Sequence, residues 1–456
     1  MLKCITRGVI MIKDKNFYKE FFSLYVLLVL QNVIILLVNL ADNIMIGSYS
    51  ETALSGVAAV NQIQFIYQQI VVGCADALVV LGSQYWGVKK TGEIKKLSLC
   101  AVISAVTAGA LLFIAASAVP DGLISAFTDT EEIRAEGVTY IRLIKYTYIP
   151  FALSNILLAT LRSCETVKIA FFVSLTALII NCSINYCLIG GNFGFPEMGT
   201  RGAAIGTVAA RCAELLIVLV YVFVIDKKLK IKPKEYLHLD TPMFSRYISV
   251  AWSIVLVAGM FGVSTALQTV ILGHMSDAAI AANSVATALF QTLKVASIGA
   301  SAATSVIIGK AVGSGDMEKV RDYTKTLQVM FVIIGLFISV SLFFLRAPIL
   351  SLYSLKPETK ELANAFLLVL CVTGFGTAYQ MPALTGIVRS GQPSFILKND
   401  LISIWGIVLP ASFLAAFYFK ASPVLVVFLL NSDQIFKCAA AFIKTNSYTW
   451  VRKLNE

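Results

Sequence analysis

The chain has 456 residues, of which 58% are hydrophobic and only 14% are charged. Soluble domains carry about 25% charged residues, so this chain lacks the ions needed to cover a water-facing surface. The composition excludes a soluble enzyme, a disordered chain and a secreted disulfide scaffold. It predicts an all-α protein that crosses the membrane many times.

The titratable residues offer no metal-binding pattern. Nine cysteines form no CxxC pair, and His238 and His274 lie far apart in the chain, so we expect no resident metal or cofactor. The formal net charge of +11 would suit nucleic-acid binding only if the basic residues were clustered on a water-facing surface. Their location along the chain therefore decides how this charge is interpreted.

Twelve apolar stretches are long enough to cross a hydrocarbon core of roughly 30 Å as helices. The first is too long for a cleaved signal peptide, and no small-residue cleavage site follows it. The predicted spans cover approximately residues 20–45, 53–81, 97–118, 138–160, 168–190, 202–225, 247–273, 279–308, 326–345, 362–386, 399–419 and 421–442.

Most lysines and arginines fall in alternate connections between these spans, which fixes a predicted orientation. Positively charged connections stay on the cytoplasmic side of a membrane, so both termini are predicted to be cytoplasmic. The net positive charge then reflects topology, and no nucleic-acid partner is expected. The segments placed inside are 1–20, 86–97, 161–168, 226–246, 309–325, 387–398 and the C-terminal tail.

The two halves of the chain repeat each other. The stretch 44–60 aligns with 270–286 at an offset of 226 residues, and Gly87 falls on Gly313 at the same offset. This predicts two pseudo-symmetric six-helix lobes, 1–225 and 247–456, joined by a cytoplasmic linker, 226–246. Parallel repeats place a cleft between the halves, where a transported substrate binds. Since one chain supplies both lobes, we expect a monomer.

Several motifs give the chain a family resemblance. They are NLADNIMIG (39–47), GSQYWG (82–87), LRSCET with its repeat mate VRSGQP, NCSINYCLI–PEMGTRGAAIGT (181–207) and LISIWGIVLPASF (401–413). In order and spacing they resemble the multidrug and toxic compound extrusion (MATE) transporters, within the MOP flippase superfamily. The resemblance implies a twelve-helix, two-lobed antiporter in the cell membrane, surrounded by lipid. It exchanges Na⁺ or H⁺ for small organic, drug-like compounds.

Asp42 is the carboxylate that we single out within a span. A carboxylate near a bilayer centre costs about 2.5–3.5 kcal/mol, so it normally faces a protein interior or a water-filled cavity. The repeat mate of Asp42 is the neutral Gln268, whereas a purely structural device would more readily have been duplicated. We therefore favour an ion-coupling role over a structural one, in which the carboxylate would tie helices together.

Amide and hydroxyl side chains on the fifth and sixth spans extend this hypothesis. Asn181 and Asn185 are one helical turn apart, and Thr207 lies at a similar depth. Family relatives of archaeal type bind a cation at a corresponding cluster, although many have a carboxylate in place of Asn185, which leaves Na⁺ or H⁺ coupling open. Interhelical hydrogen bonding is the structural alternative. The resemblance implies an ion-coupling set of Asp42, Asn181, Asn185, Thr207, Asn155 and Tyr140.

Polar residues on two further spans lie at helical spacing, on the helices that line the central cleft in this family. A lysine in the cleft would repel a simple cation, so a zwitterionic or anionic substrate stays open, as does an ion pair tying the lobes together. The resemblance gives no ion site in the second half, because spans seven and ten lack the acids that some members carry there. The predicted substrate-contacting residues are Gln62, Gln69, Asp76, Gln291 and Lys294.

A flippase and an integral-membrane enzyme are the two alternatives to an antiporter. A flippase for a lipid-linked or other amphiphilic anionic substrate has a similar two-lobed plan, but it typically carries extra spans and a strongly cationic cavity. An integral-membrane enzyme would need a catalytic motif, and the connections contain no GxSxG, phosphate-cradling glycine loop or His/Cys metal pattern. The antiporter is the function that we predict.

Overall fold

The computed structural model describes residues 11–128, 130–236, 238–352 and 356–454. Within these ranges, 11 helices are long and apolar enough to cross a membrane, and a twelfth segment is built from two shorter helices. The predicted all-α membrane fold is confirmed. The spanning segments are α1 (Lys15–Tyr49), α2 (Glu51–Gly87), α3 (Thr91–Ala118), α4 (Glu131–Ile144 and Tyr148–Ser163), α5 (Lys168–Ile189), α6 (Gly199–Val220), α7 (Thr241–Gly273), α8 (Asp277–Ser314), α9 (Met317–Leu352), α10 (Pro357–Met381), α11 (Pro393–Asp400, continuing to Tyr418) and α12 (Pro423–Leu430 and Asp433–Ser447).

Most helices extend beyond their predicted apolar limits. The 35 residues of α1 span about 52 Å at 1.5 Å per residue, whereas the prediction covered only 20–45. Hydropathy marks the part of a helix that faces hydrocarbon, while the helix itself continues through polar residues such as Lys19 and Glu20. The predicted inside segment 1–20 is described only from residue 11 onward, and residues 1–10 lie outside the described part.

The fourth span is discontinuous. The predicted stretch 138–160 contains two α-helices joined by a tighter 3₁₀ turn, Lys145–Thr147. Pro150 lies near the start of the second helix, where proline lacks the N–H that would continue the helical ladder and clashes with the preceding turn. The phenol of Tyr67 on α2 donates a hydrogen bond of 2.5 Å to the carbonyl oxygen of Tyr148, the first residue after this break.

The chain divides into two compact units. Unit 1 comprises the chain up to Val29, the short segment Ser83–Lys89 and the chain from Met260 onward, and unit 2 comprises Leu30–Gly82 and Lys90–Gly259. Thus α1, α2 and α7 each contribute one part to each unit. The predicted lobe limits at residues 225 and 247 divide the sequence into its two repeats, whereas the units are defined by contacts between residues. The lobe limits therefore stay a prediction.

The linker is held against α3 inside unit 2. Lys95 forms an ion pair with Glu235 at 2.8 Å, and the Tyr236 hydroxyl hydrogen-bonds to Ser98 at 2.8 Å. Burial raises the pKa of Tyr236 to about 12, so its phenol stays protonated. Desolvation works against ionisation of Glu235, but hydrogen bonds from Lys95 and the Lys232 amide outweigh it and lower the pKa of Glu235. These contacts pin a segment that otherwise has little regular structure.

Two glycines permit a close helix crossing in unit 1. A Cβ atom at Gly313 on α8 would lie 2.1 Å from the Gln84 carbonyl oxygen of α2. A Cβ at Gly87 would likewise lie 2.2 Å from the Lys310 carbonyl oxygen. The two glycines are the repeat mates identified in the sequence, so the crossing is reciprocal. The Gln84 side chain adds a bond of 2.6 Å to the Ser390 carbonyl oxygen.

The internal repeat is also visible in the helix caps. The Ser50 hydroxyl accepts a hydrogen bond from the Ala53 amide at 3.3 Å, at the start of α2. The Ser276 hydroxyl accepts from the Ala279 amide at 3.1 Å, at the start of α8. The two serines occupy equivalent positions at the offset of 226, and each satisfies an amide that the first helical turn leaves unpaired.

Candidate functional site

Four of the predicted ion-coupling residues form one hydrogen-bonded chain in unit 2. The Asn185 amide donates to Oδ1 of Asp42 at 2.5 Å and lies 3.4 Å from Oδ1 of Asn181. The Asn181 amide in turn lies 3.4 Å from the Thr207 hydroxyl. Asn181 and Asn185 are buried, whereas Asp42 and Thr207 are half-buried. The structure thus brings α1, α5 and α6 together at a single carboxylate, and we call these four residues the Asp42 cluster.

The two less central members of the predicted set differ in their contacts. Tyr140 on α4 is buried, hydrogen-bonds to Thr207 and lies within electrostatic range of Asp42. It therefore belongs with the cluster. Asn155 instead donates its amide to the Phe151 carbonyl oxygen of its own helix at 3.0 Å. The Asn155 amide is thus hydrogen-bonded to the backbone of α4 rather than to another member of the predicted set.

One oxygen of the cluster is a free ligand. Oδ1 of Asn185 is buried and has no hydrogen-bond partner among the described residues. The orientation of the Asn185 amide follows from its nitrogen, which donates to Asp42. If the amide were flipped, its oxygen would face the Asp42 carboxylate and the two oxygens would repel each other. An unpaired buried carbonyl oxygen costs about 1–3 kcal/mol, and a bound cation would offset this cost. The cluster therefore offers carboxylate, amide and hydroxyl oxygens to a small cation.

Arg211 adds a positive charge near the Asp42 cluster. It forms an ion pair with Glu214, three residues later on α6, with 2.7 Å between Nη1 of Arg211 and Oε2 of Glu214. Arg211 also lies within electrostatic range of Asp42 and stacks 5.0 Å from the Phe151 ring centroid. Its position four residues after Thr207 places both on one face of α6, a signal that could have linked Arg211 to the cluster.

The predicted substrate-contacting residues are divided between the units. On α2, Gln62 is exposed, Gln69 is half-buried, and Asp76 forms an ion pair with Arg162 at 3.1 Å within unit 2. On α8, Gln291 is exposed, and Nζ of Lys294 lies 5.6 Å from the Phe261 ring centroid within unit 1. The exposed side chains of Gln62 and Gln291 lie in otherwise apolar spans, and contact with a solute stays a prediction for all five residues.

Sequence reasoning missed a charged cluster in the second half of the chain. Lys437 on α12 forms ion pairs with Asp400 on α11 and with Asp433, one turn earlier on α12. Asp433 and Lys437 are four residues apart, a spacing that predicts a shared helix face and could have revealed the pair. We call Asp400, Asp433 and Lys437 the unit 1 triad.

The packing of Gly206 against Asn185 gives a test of the cluster geometry. A Cβ at Gly206 would lie 2.0 Å from Oδ1 of Asn185. We expect Gly206→Ala to push the amide away from Asp42 and to raise the half-maximal ion concentration for driven export about tenfold, roughly 1.4 kcal/mol. Ion titration of transport in proteoliposomes measures this shift.

The matched control for this variant is Gly259→Ala, another glycine within a spanning helix. A Cβ at Gly259 meets no described atom within 4 Å. We expect the control to keep the wild-type ion dependence. An unchanged ion dependence in Gly206→Ala would show that the Asn185 position does not matter for coupling.

Comparison with known proteins places this arrangement in a family. The family model described as MatE matches the chain twice, at residues 28–187 and 253–414. The probable multidrug resistance protein NorM of Thermotoga maritima is 24% identical over 442 residues, which is 93% of this chain and 91% of the relative. The NorM protein of Bacillus cereus is 24% identical over 413 residues, 89% of each chain.

Solved structures share the fold. The Vibrio cholerae MATE transporter VcmN in the bent form has a TM-score of 0.84 at 18% identity, covering 96% of this chain and 97% of its own. The eukaryotic MATE transporter AtDTX14 has a TM-score of 0.82 at 17% identity, covering 96% and 98%. Because the two matches of the family model together span more than half of the residues, one in each repeat, the chain belongs to the MatE family and is a transporter rather than an enzyme.

Proposed function

We infer that this chain is a cation-coupled antiporter that exports organic, drug-like solutes by alternating access. The observation that carries this inference is the Asp42 cluster, a carboxylate with amide and hydroxyl oxygens inside a membrane-spanning bundle. Membership in the MatE family and the multidrug-resistance names of the bacterial relatives support it. The chain is a multi-pass membrane protein, and its substrates are small organic molecules.

The coupling mechanism follows from the charges at the cluster. Asp42 is either neutralised by a bound H⁺ or Na⁺, or it is left facing the Arg211 guanidinium. A ligand shifts a conformational equilibrium only by its different affinity for the two states. We propose that the cation and Arg211 compete for Asp42, so that the ion-bound and ion-free clusters favour different conformations of unit 2. Asn181, Asn185, Thr207 and Tyr140 hold the carboxylate in place.

The remaining parts of the function are proposals drawn from the sequence. We propose that the protein works as a monomer in the cell membrane with both termini in the cytoplasm. The lobes are proposed to be 1–225 and 247–456, with 226–246 as the linker. Gln62, Gln69 and Asp76 on α2 and Gln291 and Lys294 on α8 are proposed to contact the solute, and Asn155 is proposed to assist the ion site.

Export under imposed gradients tests the function. We expect cells that lack their own exporters but express this chain to lose preloaded ethidium or norfloxacin several-fold faster than cells with an empty vector. The proton gradient and the sodium gradient are then collapsed one at a time. We expect only one of the two treatments to abolish the difference in export rate, and that gradient identifies the coupling ion. If neither compound moves under either gradient, drug export is wrong, and anionic lipid-like solutes become the substrates to test.

A further inference from the structure

The unit 1 triad is a buried ion pair with an additional carboxylate. Nζ of Lys437 lies 2.7 Å from Oδ1 of Asp400 and 3.1 Å from Oδ2 of Asp433. The side chains of Lys437 and Asp433 are only 7% and 5% exposed, and that of Asp400 is 17% exposed. Two carboxylates against one ammonium leave one negative charge unbalanced within contact distance.

A hydrogen-bond network holds the triad against α10. The Gln434 amide donates to Oδ2 of Asp433 at 2.8 Å. The side-chain oxygen Oε1 of Gln434 accepts from the Gln380 side-chain amide at 2.8 Å and from the Thr377 hydroxyl at 3.1 Å. The close approach of α10 and α12 depends on Gly376, because a Cβ there would lie 2.7 Å from the backbone carbonyl oxygen of Gln434. These polar contacts fix the carboxylates without supplying a positive charge.

The backbone is irregular on both helices that carry the triad. Immediately after Asp400, α11 widens into π-helical turns over Leu401–Val408. Immediately before Asp433, α12 is interrupted between Pro423–Leu430 and Asp433–Ser447. Wide turns and interrupted helices are frequent at functional sites in membrane transporters, because they place side chains and backbone polar groups where a continuous helix cannot.

Among the described residues, Lys437 is the only cation in ion-pair contact with the two triad carboxylates. Lys294 on α8 is within electrostatic range of Asp433 and Lys437, but it forms no ion pair within 4.0 Å of any described carboxylate and lies over the Phe261 ring. From α10 the triad meets only the neutral Gln380 and Thr377, through Gln434. Lys294 therefore offsets part of the excess negative charge from a distance, and a proton on one of the two carboxylates would remove the remaining cost of burying it.

We propose that Asp400 and Asp433 hold one exchangeable proton, which makes the triad a second coupling-ion site, separate from the Asp42 cluster. This proposal rests on the proposed cation-coupled antiport. Lys437 already fills the space between the carboxylates, so a sodium ion shared by both does not fit, whereas a proton needs no extra room. One O–H bond forms when the proton arrives from water and breaks when it returns to water, and no other bond changes.

Infrared spectroscopy of the purified protein tests the proposal without any transported solute. The C=O band of a protonated buried carboxyl is followed between about pH 5 and pH 9 in an Asp42→Asn background, which removes the first site. We expect the band to titrate in this background and to be lost when Asp400→Asn or Asp433→Asn is added. Lys437→Gln removes the positive charge, so the band should persist to higher pH. Asp316→Asn removes a half-buried carboxylate outside the triad, which pairs with Lys319, and should leave the band unchanged.

Three results would overturn the proposal. They are the absence of a titrating carboxyl band in Asp42→Asn, a band that survives both aspartate substitutions, and a band that sodium chloride removes but choline chloride does not. The last result would assign the site to sodium. Because the band is measured without transport, a failure of drug export leaves this test intact, and the two proposals can fail independently.

Discussion

Replacing Asp42 by asparagine is expected to remove most of the gradient-driven export while the protein stays folded. Asparagine keeps the size of the side chain, and its oxygen can still accept the hydrogen bond from Asn185, now 2.5 Å from Oδ1 of Asp42. The asparagine amide cannot take up and release a proton, and it has no negative charge to neutralise a bound sodium ion. We expect the driven rate to fall by a factor of about ten or more, because the one carboxylate of the cluster supplies its negative charge. Dye efflux under the driving gradient measures the loss.

The matched control is Asp121→Asn, which removes a carboxylate of the same type. Asp121 pairs with Arg134 at 3.1 Å, with its side chain 64% exposed and outside the Asp42 cluster. Exposed pairs contribute about 0–1 kcal/mol, so export and thermal stability should both stay near wild type. Full driven export by Asp42→Asn, at equal protein levels, would remove Asp42 from the coupling mechanism.

Replacing Gly313 by valine is expected to cause the largest loss of stability. The Cβ would lie 2.1 Å from the Gln84 carbonyl oxygen, a backbone atom that cannot rotate away. The two helices must separate, and we expect a cost of about 3 kcal/mol, at the upper end of the range for overpacking. Thermal unfolding in detergent, followed by loss of the monodisperse peak on size-exclusion chromatography, measures this cost.

The reciprocal glycine provides an internal check on the crossing. Gly87→Val should show a similar loss, because its Cβ would meet the Lys310 carbonyl oxygen. Once one valine has separated the helices, the second adds little, so the double variant should cost less than the sum of the two. Gly92→Val is the control, since a Cβ at Gly92 meets nothing within 4 Å. Additive losses would show that the two glycines act at independent contacts.

The sequence predicted the features that a one-dimensional pattern carries. Apolar length predicted the spans, and a carboxylate within a span pointed to Asp42, which the structure joins to Asn185, Asn181 and Thr207. The internal repeat aligned Gly87 with Gly313 before their contact was known. These predictions succeed because hydropathy, burial cost and repeat alignment depend on local composition rather than on which helices are neighbours.

Contacts between helices were beyond the sequence pattern. The spacing of Arg211 and Glu214 is enough to explain their ion pair on one helix, but only the fold places Arg211 near Asp42 on another. The unit 1 triad was missed for the same reason, since Asp400 and Lys437 lie on different helices. The break in α4 was also missed, because hydropathy does not distinguish a continuous helix from two helices joined by the 3₁₀ turn Lys145–Thr147.

The single residue between α1 and α2 constrains how the chain enters the membrane. Because α1 ends at Tyr49 and α2 begins at Glu51, almost no hydrophilic chain has to be translocated between them. The Ser50 hydroxyl already satisfies one amide of the turn. With both termini in the cytoplasm, as proposed, inserting the pair as a helical hairpin would move one exposed carboxylate, Glu51, across the bilayer. The equivalent turn between α7 and α8, from Gly273 to Asp277, is also short, so the second half likewise begins with a helix pair that has little polar chain between its members.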